Sequence, residues 1–308
     1  MSMYIFLTIF SIIVYFLIYN FRKKISFFLN VDDIPDEKRK IHKQPIPKTA
    51  SYSIFITFVS ILIINIFANI LKPEINYIII GALLFFIIGF LDDKFNLRPI
   101  TKISLSILIS IFIINLSSQL ILYKFYIFSF DTFFNLNFFS QIFTILCILC
   151  LVNSLNLADG INGLATSLVF FWLIYIAIIY NNVIGENLFF IYIVLINLVL
   201  IINYNLRNKH FLGDSGSLML SSFIAFLIIY LHNLKISNPS PKDSAETIFI
   251  LFMVPVLDML RLFFVRLIKK TNPGKGDNNH LHHHLIRNFS LTSSLIYYFL
   301  IVNIPILL

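Results

Sequence analysis

The 308-residue chain is 58% hydrophobic and only 12% charged, with a mean hydropathy of +0.89. A soluble domain of this composition would expose large apolar patches, so the composition indicates a polytopic membrane protein instead. The formal net charge of +8 does not require a nucleic-acid partner, because basic residues that face anionic membrane lipid account for it.

Apolar runs of about the length that crosses a bilayer recur along the whole chain and predict an all-α fold of about ten transmembrane helices. The predicted spans lie at roughly 3–21, 51–71, 76–92, 103–122, 138–157, 164–180, 187–204, 217–232, 244–268 and 291–307. They leave no room for a separate soluble domain, so we expect residues 1–308 to form one transmembrane domain.

Lys and Arg residues set the expected orientation of these spans. With the N-terminus outside, all but four of the 23 basic residues fall on inner segments, and the exceptions are Lys72, Lys124, Lys235 and Lys242. The positive-inside rule therefore predicts a protein of the bacterial inner membrane with both termini outside. In the outer stretch 123–137, Phe and Tyr alternate loosely with polar residues, which predicts a hairpin at the membrane interface. We assign no chemistry to this hairpin.

A patch of amides and one carboxylate lies between two strongly apolar runs, at Asn153, Asn156, Asp159 and Asn162. Lipid cannot solvate these groups, so the patch lies either at a membrane surface or in a wet cavity of the protein. The first three are spaced by three residues and therefore lie on nearly the same face of a helix. The glycines that follow would let the backbone approach a ligand closely. An ordinary helix cap explains one such residue but not four at a spacing of three.

An acid pair, Asp92 and Asp93, closes the third predicted span. Adjacent carboxylates at a membrane surface are hard-oxygen groups that suit Mg²⁺ or the counter-ion of a phosphate. The alternative is a solvated acid pair that Lys94 and Arg98 neutralise at a helix end.

The glycine-rich segment from Phe211 to Ser217 places Asp214 directly before a new apolar helix. The free amides of that helix would suit an anion, with Asp214 presenting a cation to it. The alternative is an N-cap formed by Asp214, Ser215 or Ser217.

Four histidines stand close together at 280 and 282–284, downstream of Asp277 and several lysines. Nearly consecutive imidazoles cannot all reach one tetrahedral zinc ion, so contact with phosphate is the better functional interpretation. A second basic segment, which holds His42, Lys43 and Lys48, is stiffened by prolines. The alternative is that this segment is an ordinary cytoplasmic loop, because such loops are generally rich in Lys and Arg.

All these polar motifs fall on the predicted cytoplasmic face, which favours one site there. In this order they resemble the polyprenyl-phosphate N-acetylhexosamine-1-phosphate transferases, whose branches include the phospho-MurNAc-pentapeptide translocase and the undecaprenyl-phosphate GlcNAc-1-phosphate transferases. The resemblance rests on the Ile46-Pro47-Lys48 loop, Asp92-Asp93, Asn153 to Ala165, Phe211 to Ser217, Pro255…Asp258…Arg261, and Asp277…His280-Leu-His-His. The last motif is more similar to the GlcNAc-1-phosphate branch.

The resemblance implies a Mg²⁺-dependent phosphotransferase, with Mn²⁺ as an alternative ion. A UDP-amino sugar would give its sugar-1-phosphate to undecaprenyl phosphate and release UMP, in a membrane that would also supply lipid contacts. This reaction starts a cell-surface polysaccharide, and a homodimer stays open as an assembly. Pentapeptide transfer, a proton-coupled transporter and a catalytically silent scaffold are the alternatives.

The same resemblance implies roles for individual residues. Asp214 and Asn156 would hold the metal, and Asp92 and Asp93 would orient or activate the lipid phosphate. The other implied residues are Asp159, His280, His282 and His283 for catalysis, and His42, Lys43, Lys48, Asn153, Asn162, Asn205, Phe211 and Arg261 for substrate binding. Phe211 would stack on uracil, with Asn162 hydrogen-bonding it.

The chain departs from the family pattern at four places. Asn96 and Asn162 stand where the family has Asp, Thr49-Ala50 replaces Gly-Gly, and the segment from Asn205 to Phe211 is one residue short. These departures concern sugar specificity and the fit of the nucleotide more than the reaction, because the principal acids remain.

Overall fold

The computed structural model describes residues 2–35, 44–185, 189–271 and 279–307, and this part of the chain is mostly helical. The helices are α1 (Ser2–Leu29), α2 (Tyr52–Ala68), α3 (Pro73–Phe95), α4 (Pro99–Ile114), α5 (Ser140–Ala158), α6 (Leu164–Ile179), α7 (Asn181–Ile184), α8 (Phe189–Leu206), α9 (Gly213–Lys235), α10 (Ala245–Ile268), α11 (Leu281–Asn288) and α12 (Leu291–Leu307). The strands are β1 (Asp32–Asp33), β2 (Ile46–Pro47), β3 (Lys124–Ile127) and β4 (Thr132–Asn135).

Six helices are long and apolar enough to cross a membrane: α1, α3, α5, α8, α9 and α10. Four shorter apolar helices, α2, α4, α6 and α12, coincide with the remaining predicted spans. The all-α membrane class is therefore confirmed for the described part of the chain, whereas the count of ten stays a prediction.

Two boundaries differ from the sequence-based expectation in ways that matter for the site. The segment Gly213–Ser217, expected as a loop, forms the first turn of α9. The histidine segment, also expected as a loop, enters α11, and His280 is its N-cap residue. Both segments therefore present their polar side chains from a helix end.

Prolines and asparagines set the ends of the helices around the site. Pro73 and Pro99 occupy the first turns of α3 and α4, where the missing N–H costs nothing. Asn96 ends α3 in the left-handed region with φ 50°, a conformation that asparagine tolerates. The chain therefore turns sharply after Asp92 and Asp93 and returns along α4.

Helix α9 is the centre of the fold and is buried along almost its whole length, packed mainly against α3 and α5. Small residues allow this close packing, as is common between membrane helices. A Cβ at Gly89 of α3 would collide with the backbone of Asp214 and Ser215. This close approach brings the acidic end of α3 to the start of α9.

The stretch between α4 and α5 forms the predicted hairpin. Strands β3 and β4 pair antiparallel, with Lys124 opposite Asn135. The amides of Phe128 and Ser129 donate to the carboxylate of Glu246 at the start of α10, both at 3.0 Å. The hairpin is thereby attached to the N-terminal end of α10.

Candidate active site

Four polar motifs that are far apart in sequence meet at one end of the helices. They are the C-terminal end of α3, the end of α5 with its following loop, the start of α9, and the middle of α10 together with the start of α11. Direct contacts join them, as described below. The convergence expected from the sequence is therefore present, although the membrane side it faces is a separate question.

The first group of contacts runs from α3 through α4 to α5. The Lys102 ammonium lies 2.6 Å from Asp92 Oδ2 and 3.3 Å from Asn156 Oδ1. The amide nitrogen of Asn156 donates to Asp214 Oδ1 and, at 2.9 Å, to the hydroxyl of Ser217. Asp92 also interacts directly with the Asp214 carboxylate. Lys102 thus lies among two carboxylates and an amide oxygen.

Asp93 makes a second group of contacts, between α3 and α9. Its carboxylate accepts the amides of Asp214 at 3.1 Å and Ser215 at 2.9 Å, and its side chain is 1% exposed. The amides at the start of α9 therefore hold the side chain of Asp93, and the local N-cap that the sequence offered is not used. Leu212, at the N-cap position, makes no side-chain cap bond.

Lys48 completes this group from the segment after β2. Its ammonium lies 3.3 Å from Asp93 Oδ1 and 3.4 Å from Asp33 Oδ1. Burial alone would lower the pKa of Lys48, but the carboxylates of Asp93, Asp33 and Asp214 outweigh burial and raise the pKa above its usual range. Lys48 is therefore a permanent cation in the site.

Asp159 is the C-cap residue of α5 and is partly exposed. Burial raises the pKa of its carboxyl well above the usual range, and the negative charges of Asp214 and Asp93 raise it further. The next residue, Gly160, lies directly against the histidines, because a Cβ there would come within 2.5 Å of His282 Nε2. The loop after α5 and helix α11 therefore form one surface.

The histidines occupy distinct environments at the start of α11. His280 Nδ1 lies 2.9 Å from Asp258 Oδ2, and both oxygens of Asp258 also accept the Leu281 amide at 3.2 Å. Arg261 contacts the same carboxylate at 2.9 Å, with its guanidinium about half exposed. Asp258, which the sequence analysis placed only in a motif, therefore fixes His280 and caps α11.

His282 is fully buried, and its Nε2 has no hydrogen-bond partner in the described part of the chain. Burial, followed by the neighbouring His283 and His280, lowers the pKa of His282 to about 3. The imidazole is therefore neutral at physiological pH. His283 is partly exposed, and His284 is exposed.

Two of the amides expected to bind substrate make hydrogen bonds to the backbone of the protein. Asn205 is buried, accepts the Gly163 amide at 2.6 Å and donates to the carbonyl of His210 at 3.3 Å. Asn153 donates to the carbonyl of Leu149 within its own helix. Both amides therefore have partners within the protein, as hydrogen-bonding groups among apolar helices require, and their substrate-binding role stays a prediction.

Asn162 remains accessible to a ligand. Its amide donates to Asn208 Oδ1 at 2.5 Å on an exposed surface. Phe211 is partly exposed, and its backbone bonds to the segment that carries Lys48, with Phe211 N donating to Pro47 O at 2.9 Å. The predicted residues His42, Lys43 and Asp277 lie outside the described residues.

Sequence reasoning missed Lys102 and Asp33. Lys102 looked like one of many inner basic residues, but its place in the first turn of a proline-initiated helix after Asp92-Asp93 is a usable signal. Asp33 carries no such signal, because its role depends on the pairing of β1 with β2.

No group of three or more His, Cys, Asp or Glu side chains among residues 2–35, 44–185, 189–271 and 279–307 is arranged to hold a metal ion. The carboxylates of Asp33, Asp92, Asp93 and Asp214 nevertheless outnumber the two ammonium groups that interact with them, those of Lys48 and Lys102. This excess of negative charge suits a cation that arrives with an anionic substrate.

An apolar groove of about 470 Å³ lies between α5, α9 and α10. It is lined near the site by Val256 and Leu260 and at the other end by Leu122 and Phe125 of the hairpin region. Leu260 is two residues from Asp258 on α10, so along the axis of this helix the groove reaches about the level of Asp258. Its lining suits a hydrocarbon chain.

The sequence profile of glycosyl transferase family 4 matches residues 75–232, a range that contains Asp92, Asp93, Asn156, Asp159 and Asp214. A Bacillus subtilis protein named probable undecaprenyl-phosphate N-acetylglucosaminyl 1-phosphate transferase is 27% identical, with 86% of this chain and 72% of the relative covered. A Yersinia pestis undecaprenyl-phosphate alpha-N-acetylglucosaminyl 1-phosphate transferase is 25% identical, with the same coverage. A Petrotoga mobilis phospho-N-acetylmuramoyl-pentapeptide-transferase is 30% identical over 56% of this chain and 57% of its own length.

Proposed function

Because the chain belongs to glycosyl transferase family 4, we propose that it transfers N-acetylglucosamine 1-phosphate from UDP-N-acetylglucosamine to undecaprenyl phosphate. An oxygen of the lipid phosphate would form a bond to the phosphorus that carries the sugar. The diphosphate bond of the donor would break at the same phosphorus, and UMP would leave. The product is a lipid-linked diphosphate sugar, and we place the reaction at the cytoplasmic face of the inner membrane.

The observation that carries this proposal is the charged cluster at the ends of α3, α5 and α9, beside an apolar groove. Two anionic reactants must be brought together there, and catalysis of phosphoryl transfer depends mainly on positioning and charge stabilisation. Lys48 and Lys102 supply positive charge, and the groove would hold the isoprenoid tail near the same cluster.

Mg²⁺ is part of the proposal, and the residues present suit it. Asp214 and Asp92 offer carboxylate oxygens, and Mg²⁺ commonly takes one or two carboxylates together with substrate phosphates. Asn156 presents its nitrogen to Asp214 and its oxygen to Lys102, so an ion bound by that oxygen would lie beside Lys102 or displace it. When bound, the ion would neutralise charge on the diphosphate and on the leaving UMP.

The contacts divide the acid pair into two proposed roles. Asp92 faces Lys102 and Asp214, where it would orient the acceptor phosphate and its counter-ion. Asp93 has its carboxylate occupied by two amides and Lys48, so we assign it the positioning of α9 and thereby of Asp214. This assignment departs from the expectation that both acids act on the lipid phosphate.

The histidines would contact the diphosphate. His280 has its Nδ1 held by Asp258, which leaves its other ring nitrogen for a ligand. His282 is neutral and buried against Gly160, so we assign it to the wall of the site. Phe211 would stack on uracil, with Asn162 as a hydrogen-bonding partner.

Transfer of phospho-N-acetylmuramoyl-pentapeptide is the second candidate, because the Petrotoga mobilis relative carries that name. One assay separates the candidates. Purified protein receives undecaprenyl phosphate, Mg²⁺ and each of several UDP-sugars, and lipid-linked product and UMP are quantified. We expect product from UDP-N-acetylglucosamine or a close N-acetylhexosamine relative. Product from the pentapeptide donor alone would reverse the assignment, and release of no UMP from any donor would refute both.

A further inference from the structure

Two segments that carry proposed substrate-binding residues run side by side next to the acidic cluster. They are 46–50, which holds Lys48, and 210–213, which holds Phe211. Two backbone hydrogen bonds join them, from Phe211 N to Pro47 O at 2.9 Å and from Ala50 N to Phe211 O at 3.1 Å. The separation of Lys48 and Phe211 therefore depends on how these segments are held together.

A buried side-chain hydrogen bond also connects the two segments. Thr49 Oγ1 lies 2.8 Å from His210 Nε2, and both side chains are 0% exposed. The residues adjoin Lys48 on one segment and Phe211 on the other. The bond therefore joins the segments at the level of the two residues proposed to meet the donor.

The surroundings of His210 make this bond hard to replace. The rings of Tyr15 and Tyr19 on α1 pack around the imidazole, at 6.2 and 5.8 Å between centroids. His210 Nδ1 has no hydrogen-bond partner in the described ranges, so the bond to Thr49 is the main polar contact of the ring. Burial, followed by the charge of Arg22, lowers the pKa of His210 to about 3, so the ring stays neutral at working pH.

We propose that Thr49 and His210 form a positioning pair that sets the separation of Lys48 and Phe211, and so the fit of the nucleotide half of the donor. This inference rests on the proposed function for the assignment of Phe211 to uracil. Neither Thr49 nor His210 would touch the substrate. Their effect would reach the donor through the two segments that they join.

The central test replaces Thr49 with valine, which keeps the shape of the side chain and removes the hydroxyl. Loss of one buried hydrogen bond should raise the KM for UDP-N-acetylglucosamine about three- to tenfold, while kcat and the KM for undecaprenyl phosphate change less than about twofold. Thr49→Ser restores the hydroxyl and should return the donor KM to near the wild-type value. Thr57→Val is the matched control, because Thr57 is equally buried but its hydroxyl bonds only within α2, to Ser53 O.

A double-mutant cycle with His210→Leu tests whether the two residues act through each other. If they do, the double variant should raise the donor KM no more than the larger single effect. Additive effects, or a Thr49→Val variant with wild-type donor KM, would overturn the inference. A third outcome would also overturn the inference: a lower kcat, equally raised KM values for both substrates and a lower unfolding temperature. That pattern indicates general damage to the fold.

A binding measurement separates this inference from the proposed function. UDP is titrated calorimetrically into detergent-purified wild type and Thr49→Val. If no UDP-sugar is turned over but the variant still binds UDP more weakly, the positioning pair stands and the proposed reaction fails. If wild type turns over the sugar nucleotide and both proteins bind UDP equally, the reaction stands and the pair is refuted. Absence of UDP binding to wild type would overturn both.

Discussion

Replacing Asp93 with asparagine tests whether this carboxylate positions α9 or acts on a substrate. The change removes the negative charge that faces two amides of α9 and the ammonium of Lys48. Loss of a helix cap costs about 0.5–2 kcal/mol, and a partly buried charge at a helix end contributes up to about 2 kcal/mol. Asparagine keeps one acceptor oxygen and Lys48 keeps Asp33, so we expect unfolding free energy to fall by about 2 kcal/mol.

Thermal unfolding of the purified protein in detergent measures this loss, which should lower the unfolding temperature by about 3 °C for a chain of this length. Asp131→Asn is the control, because Asp131 is exposed on the hairpin at φ 47°, a conformation that asparagine accepts equally well. Its effect should stay below about 0.5 kcal/mol. An Asp93→Asn protein that unfolds at the wild-type temperature but has lost turnover would show that Asp93 acts on substrate and would refute the positioning role.

Three further predictions concern the metal, the histidines and the orientation. Asp214→Ala should abolish turnover in a folded protein, and excess chelator should do the same to wild type; undiminished turnover in chelator contradicts a role for Mg²⁺. His282 has a pKa of about 3 when folded and about 6.5 when unfolded, so the unfolded chain binds more protons between these values, and His282 alone should lower the free energy of unfolding by about 2 kcal/mol as the pH falls from about 7 to about 5, in addition to a similar contribution from His210. The free energy of unfolding of His282→Asn should fall less than that of wild type over the same pH interval. An equal fall in the two proteins would contradict the buried neutral state of His282. With the native cysteines replaced by serine, a cysteine at exposed Asn238 should react with an impermeant thiol reagent in intact cells and one at exposed Asn288 should not; the reverse result would invert the proposed orientation.

The meeting of the polar motifs was predictable because lipid restricts where charged groups can lie. Asp92, Asn156 and Asp214 each stand at the end of an apolar run, and helices that cross a bilayer bring such ends to one of two faces. Alternation along the chain then assigns them to the same face. The sequence therefore sufficed to predict these three members of the cluster, but not Lys102 or Asp33, and four of the predicted spans correspond to short helices.

The partners within the cluster were not predictable from local sequence. Asp214, Ser215 and Ser217 all looked able to cap α9, yet the cap comes from Asp93 on α3. This arrangement depends on the close approach at Gly89, which is a property of helix packing. A local signal cannot show that a more distant acceptor occupies the same amides.

The amides show why residue type and spacing do not separate a ligand-binding group from a scaffold group in a membrane protein. Asn153, Asn156 and Asn205 all lie in strongly apolar helices, where any side-chain amide needs a partner regardless of its function. Asn153 finds that partner within its own helix and Asn205 finds it at Gly163, whereas Asn156 bonds to Asp214 and Lys102. Only Asn156 of these three bonds to charged groups that a substrate or an ion could displace, so the role proposed for it rests on its neighbours and not on its position in the motif.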